Sequence, residues 1–188
     1  MAIHLWWIGE ATRDEEVMGL VRTQVEAAFE TEVIERLDAS RPEGTFDARR
    51  GQHSSRGMLG WLRGAWPGDA TRVLGITDVD LFMPVLTFVF GEAQLEGDAA
   101  VVSAARLVEP GNPALTVARL AKESVHELGH TFGLLHCESP RCVMARSASV
   151  RAVDTKQPRL CPACRDKYRL FQQEGHHVYR EDQNPHRR

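Results

Sequence analysis

The segment His126-Glu127-Leu128-Gly129-His130, extended by Gly133 and His136, constrains this chain more than any other feature. It lies in a stretch from about residue 113 to 132 that carries helix signals. Asn112-Pro113 is a helix start, because Asn caps free N–H groups and Pro is tolerated at the first helical position. Ala118, Ala121, Val125, Leu128 and Phe132 then recur at steps of three and four, which predicts an apolar stripe packed on a sheet. Residues four apart share a helix face, so His126 and His130 project together, roughly 120° or more from the centre of that stripe. Gly133 can take the positive φ that ends a helix and turns the chain, bringing His136 to the same point. Three neutral imidazoles on one zinc leave a fourth position for water, the arrangement of a catalytic rather than a closed site. Glu127, next to the first ligand, is placed to take the proton as that water attacks a carbonyl carbon. The expectation is therefore a catalytic zinc on His126, His130 and His136, with Glu127 as catalytic base in peptide bond hydrolysis. Two solvated helix histidines are the bland alternative, and the added Gly133 and His136 weigh against it.

A second ligand pattern follows at once. Cys137, Cys142, Cys161 and Cys164 form a C-x4-C pair and a C-x2-C pair, the spacing of a closed tetrahedral thiolate site for a structural zinc. Two disulfides are the competing reading, and no secretion signal precedes them. The apolar stretch from Ile3 to Ile8 lacks a basic flank and reads as a buried strand. Cysteines without such a signal point to a reducing, cytoplasmic setting. The longest apolar run, around Leu81 to Phe90, is broken by Pro84 and falls short of the roughly 18 residues a membrane span needs. A net charge of −3 gives no basic field for nucleic acid. The expected partner is a peptide or protein substrate, with no nucleic acid, no membrane and a monomeric state.

A chain of 188 residues can bury one substantial core. Thr12 and Glu15 have capping-box spacing for a helix through about Glu30, with Val17, Leu20, Val21, Val25 and Ala28 on its inner face. Thr31 to Leu37 reads as a second strand, and Asp38 to Gln52 as a loop before a helix carrying Met58, Leu59, Trp61 and Leu62. Arg72 to Ile76, Val85 to Phe90 and Ala100 to Leu107 read as strands. These elements predict an α+β fold, a mixed sheet packed with helices. Composition shifts to Ser, Pro, Arg and Gln after Cys137, which places a boundary between residues 1–136 and a small zinc-stabilised subdomain, 137–188.

The motif from His126 through His136, Cys137, Cys142 and Met144 to Cys161 and Cys164 resembles the archaemetzincins, a branch of the metzincin zinc peptidases. Softer similarity lies in Gly75 to Phe82, Phe90-Gly91-Glu92-Ala93 and Ser103 to Leu107. The resemblance implies a three-layer metzincin fold, a horizontal active-site cleft, and Met144 as the Met-turn residue beneath the catalytic zinc. It also links the chain to peptidase activity, aminopeptidase-like in some members. Metzincins commonly bind extended peptide along an edge strand, and Val85 to Gln94 or Ala99 to Leu107 could supply it. Glu92 is a conceivable partner for a substrate amino terminus. The competing functional class is a catalytically silent peptide-binding or regulatory zinc protein, which the same residues would also build.

Overall fold

The computed structural model describes residues 2–12, 14–36, 42–65, 68 and 70–174. Leu37 to Arg41, and with them the end of the second predicted strand, lie outside the described residues, as do His176, His177 and His186. A first sheet contains β1 (Ala2–Trp7), β2 (Val33–Arg36), β5 (Ala70–Thr77), β7 (Gly91–Ala93) and β8 (Ala99–Ser103), in the order β2-β1-β5-β8-β7. All its pairings are parallel except β7 with β8. A second sheet, β3-β4-β6, joins β3 (Phe46–Asp47), β4 (Gln52–Ser54) and β6 (Leu81–Phe82).

The central strands are buried on both faces, so their side chains alternate between two apolar clusters rather than between core and solvent. Ile3, Leu5, Leu74, Ile76, Ala100 and Val102 meet α1 (Glu15–Phe29) and α3 (Pro113–Thr131) on one side. Trp6, Val73, Ala99 and Val101 meet α2 (Ser55–Gly64) on the other. The result is the three-layer α+β arrangement that the sequence predicts.

Several local expectations are corrected by the packing. The N-cap of α1 is Asp14, whose carboxylate accepts from Glu16 N and Val17 N, in place of Thr12. Its buried face is Met18, Val21, Val25 and Phe29, while Leu20 is 50% exposed. Val85 to Phe90 is not a strand. Val85 and Leu86 are exposed after Pro84, and only Val89 makes a bridge, to Leu81. The predicted loop from Asp38 to Gln52 contains β3 and reaches β4. Strand β8 ends at Ser103 and is flanked on both sides, which leaves the antiparallel β7 as the edge.

The chain after Cys137 contributes α4 (Val150–Thr155) and α5 (Pro162–Gln173). Its buried Val143, Met144, Val153, Leu160 and Tyr168 join the same cluster as Phe29 and Phe132. The Tyr168 hydroxyl donates to Phe29 O at 2.8 Å. No helix among the described residues is long and apolar enough to cross a membrane.

Candidate active site

Helix α3 begins as the sequence implies: the Asn112 side chain accepts from Leu115 N, and Pro113 follows. Ala118 is exposed, so the inner stripe starts only at Ala121. From Leu120 onward nearly the whole circumference is buried, including His126 and Glu127. A helix that packs its apolar stripe on the sheet therefore holds its polar face inside the protein as well. Burial of that polar face requires partners.

Each histidine of the helix has one. His126 Nδ1 lies 2.9 Å from Val143 O, and His130 Nδ1 lies 2.7 Å from Leu134 O. A carbonyl only accepts, so each Nδ1 carries the hydrogen and donates it, which leaves Nε2 as a bare lone pair on both rings. Those two Nε2 atoms face each other at 3.2 Å. Two lone pairs aimed at one point repel unless a cation lies between them. His136 completes the group: its ring centre is 5.3 Å from that of His126 and 5.0 Å from that of His130. One nitrogen from each of the three rings falls within 4.8 Å of the others. This donor set fits a metal ion and suits zinc by its chemistry.

The turn that delivers His136 is local. Gly133 stands at φ 75°, Leu134 N donates to Gly129 O, and Gly133 N donates to His130 O. These bonds form a Schellman motif at the helix C-terminus. Glu96 N, from the turn between β7 and β8, also donates to His130 O at 3.0 Å, and the buried Arg72 reaches Thr131 O at 3.3 Å while stacking over Phe132. Burial lowers the Arg72 pKa to about 10.

Two close approaches shape the site. A Cβ on Gly129 would meet Met144 Sδ at 2.4 Å, so the methionine packs directly against the helix backbone between the first two histidines. A Cβ on Gly91 would meet Glu127 Cγ at 2.6 Å, so edge strand β7 lies flush on the Glu127 side chain. Burial, with the charges of Glu123 and Glu92, pushes the Glu127 carboxyl well above the ordinary carboxylate range. Burial and the Lys156 ammonium push His126 well below its usual value. His130 is lowered by burial, and His136 by burial and then by the charge of Arg146.

Sequence reading did not find the group behind His126. Lys156 Nζ, buried, lies 2.9 Å from Glu123 Oε1 and 3.3 Å from His126 Nδ1. Glu123 sits one turn before Glu127, so the i, i+4 spacing was a usable signal; Lys156 lies in a distant segment and gave none. The histidines, Glu127 and Glu123 line a cleft of about 430 Å³, closed on one side by Phe88 to Ala93 and on the other by Arg146 to Ala148. Glu92 lines it too, but its carboxylate already takes the Ser55 hydroxyl and faces Arg56 Nε at 3.6 Å.

The four cysteines are likewise brought together. Their sulfurs lie within 4.8 Å of one another, with Cys137 Sγ 3.8 Å from Cys161 Sγ, and all four are free thiols. Burial and the neighbouring thiols hold the Cys164 thiol well above its usual value, so a metal binding here displaces protons. Cys137 N donates to Met144 O at 2.9 Å and Cys137 bridges Ala145, which ties this cluster to the turn carrying Met144.

The model for peptidase family M54 matches residues 32–169. The chain belongs to this family. An archaemetzincin of Methanopyrus kandleri is 47% identical over 131 residues, covering 70% of this chain and 74% of that protein. One from Methanocaldococcus jannaschii is 40% identical over 141 residues, covering 72% and 75%. The crystal structure of the Methanopyrus kandleri protein superposes with a TM-score of 0.82 at 38% identity, over 92% of this chain and 96% of that one. A zinc-dependent peptidase from Methanocorpusculum labreanum gives 0.76 at 28%, over 88% and 99%. The M54 chain described here is a zinc metallopeptidase of archaemetzincin type, and its substrates are peptides or proteins.

In this M54 peptidase the Gly75 to Phe82 segment is a brace: Asp78 accepts from Glu10 N and Ala11 N at 2.6 and 2.8 Å. Asp80 takes both arms of Arg106 at 2.7 Å and Gln52 Nε2 at 2.9 Å. Gln52 opens β4, and the next residue in that strand, His53, brings Nδ1 to 2.9 Å from Thr45 Oγ1.

Proposed function

We propose that this peptidase cleaves peptide bonds at a zinc ion held by His126, His130 and His136, with Glu127 as the catalytic residue that moves the proton. The observation that carries this reading is the pair of Nε2 lone pairs 3.2 Å apart on rings whose other nitrogens are spent on carbonyls. When bound, zinc supplies Lewis acidity that acidifies water toward a pKa of about 7 and polarises the scissile carbonyl. Glu127 takes the proton of the attacking water and returns it to the leaving amine. Extended substrate lies along β7, whose Gly91 leaves room for the Glu127 side chain. Gly133 sets the turn to His136, and Met144 packs beneath the helix as the Met-turn residue.

Cys137, Cys142, Cys161 and Cys164 hold a second, structural zinc, giving two ions per chain, and stabilise a small subdomain over 137–188 in a reducing, cytoplasmic setting. Aminopeptidase-like action is the narrower form of the reading. It needs an acidic group turned to the substrate ammonium, and Glu92 is the cleft residue of that kind, although Ser55 and Arg56 engage it.

The test is hydrolysis of an unbiased peptide library by zinc-loaded protein and by Glu127→Gln. General-base loss is expected to lower kcat by about 10² to 10⁴. Equal product from both proteins removes Glu127 from the mechanism. No product from either, with zinc and peptide binding retained, favours a catalytically silent peptide-binding protein. Blocking of cleavage by N-acetylation of the peptides would establish the aminopeptidase form.

A further inference from the structure

The charged groups that line the cleft differ in whether they are already engaged. Glu123 is paired with Lys156, and Glu92 faces Arg56 and Ser55. Glu127 is committed to proton transfer in the reading above. Arg146 is exposed on the wall opposite β7, and it makes no hydrogen bond or ion pair among the described residues. It is also the sole Lys or Arg among the described residues lining the cleft. It shares the lining of one cleft with all three histidines, so it stands in the groove where the substrate would lie.

Other arginines near the metal clusters have a simpler explanation. Arg141, Arg159 and Arg165 border Cys142 and Cys161, where four thiolates around a divalent ion leave a net negative charge of about two to be balanced. Arg146 does not line that surface and lies in the histidine cleft instead. A guanidinium offers a planar fork of donors that matches a carboxylate, and in a cleft with hydrophobic walls the pairing is screened less than in open water.

We infer that Arg146 is a specificity determinant that binds a carboxylate of the substrate next to the scissile bond, so that the preferred substrates are peptides with an acidic side chain there or with their own C-terminus at that point. This rests on the peptidase reading for its position and adds the substrate class. The occupant is a carboxylate in either case, and its two sources are separable by experiment.

The probe is a positional set of fluorogenic octapeptides with Glu, Gln or Lys at each position flanking the cleaved bond, each made with a free and an amidated C-terminus. The ratio of kcat/KM for Glu over Lys peptides is the quantity read. A wild-type ratio of about three- to tenfold is expected at low salt, shrinking as ionic strength rises. In Arg146→Glu the ratio should invert. A loss on replacing Glu by Gln identifies the side-chain carboxylate, and a loss on amidation identifies the C-terminus. A fall in activity that leaves the ratio unchanged would make Arg146 merely structural and overturn the inference, as would a wild-type ratio near one. Fluorescence anisotropy of the same Glu and Lys peptides on Glu127→Gln and on Glu127→Gln/Arg146→Glu separates this from the peptidase reading. Charge-dependent binding without turnover by the wild type would sink hydrolysis and keep the carboxylate site; turnover without charge preference would do the reverse.

Discussion

The two clusters of metal-binding side chains lie next to each other in sequence, at His136 and Cys137, yet they are built in opposite ways. His126 and His130 stand on a long helix anchored on the sheet, each ring fixed by a backbone carbonyl, and the turn that caps this helix delivers His136. The cysteines stand on loops and at the start of α5, where Cys161 caps the helix without a side-chain bond. A site on rigid elements is preorganised and can carry destabilising groups for the sake of chemistry. A site on loops is organised by the ion it holds, so there binding and folding are one event.

The sharpest way to break this contrast is to remove one ligand from each cluster. Cys161→Ser is expected to lose one zinc per chain and to lower Tm by ten degrees or more, since structural zinc contributes several kcal/mol and each is worth about 2–4 °C in a chain of this size. His136→Ala, at an exposed residue, is expected to lose the other zinc and the activity while the Tm of metal-free protein moves by only about 1–2 °C. Zinc counting by elemental analysis together with calorimetry checks both. A His136→Ala protein that melts as early as Cys161→Ser would erase the distinction.

Gly133→Ala comes next. The residue sits at φ 75°, where an L side chain costs roughly 1–2 kcal/mol, and its new Cβ would press on Glu96 and Phe171 at 3.2 and 3.3 Å. Tm should fall by about 2–8 °C. Zinc affinity at the histidine site should fall too, because the turn delivers His136. Titration of zinc against a competing chelator reads the second effect, and unchanged affinity would show that His136 finds the ion without that turn.

A shift of the opposite sign is expected at Glu127. Burial raises its proton affinity in the metal-free protein, so the folded state favours the neutral acid. The stability this provides is complete below the unfolded pKa of about 4.3 and is lost as pH rises through the folded value. Metal-free Glu127→Gln lacks that loss. It should melt above metal-free wild type at neutral pH, with the gap closing as pH falls towards 4, while having lost its activity. Thermal melts of the two apo proteins across pH decide it, and a variant that melts lower throughout would mean the carboxylate is not a burden on the fold.

How much of this was legible in sequence follows the range of the interaction. The helix start at Asn112, the spacing of His126 and His130, the turn at Gly133 and the four-cysteine pattern are set by neighbours within a few residues, and each is described at the place its spacing implies. What sequence did not disclose depends on contacts between distant segments. Lys156 behind His126, Arg72 against Thr131, and Gly91 against Glu127 all join residues more than 25 positions apart. The strand assignment for Val85 to Phe90 failed for a related reason. Its apolar composition suits a sheet, but Val85 and Leu86 face the solvent and Phe88 to Phe90 line the cleft wall.

Gly129 offers the finest test, because two effects of similar size oppose each other there. It lies in the interior of α3, where Ala is favoured over Gly by about 1 kcal/mol through helix propensity. Its missing Cβ, however, is the space that Met144 fills, with Sδ at 2.4 Å and Cε at 2.9 Å from where that Cβ would stand. The clash is with the end of a flexible side chain, so Met144 can move aside at a cost of about 1–3 kcal/mol in a packed core. Net stability of Gly129→Ala should therefore change by about 0–2 kcal/mol in the destabilising direction. The displacement is not neutral for the site, because Met144 O holds Cys137 N and Val143 O holds His126 Nδ1. A methionine pushed from the helix pulls on both clusters through that short segment. The expected signature is a small change in Tm accompanied by weaker zinc binding at the histidines, read by calorimetry and chelator competition on one preparation. If affinity is kept while Tm falls, Met144 packs beneath the site without positioning it, and the link between the two clusters runs through the His136–Cys137 junction alone.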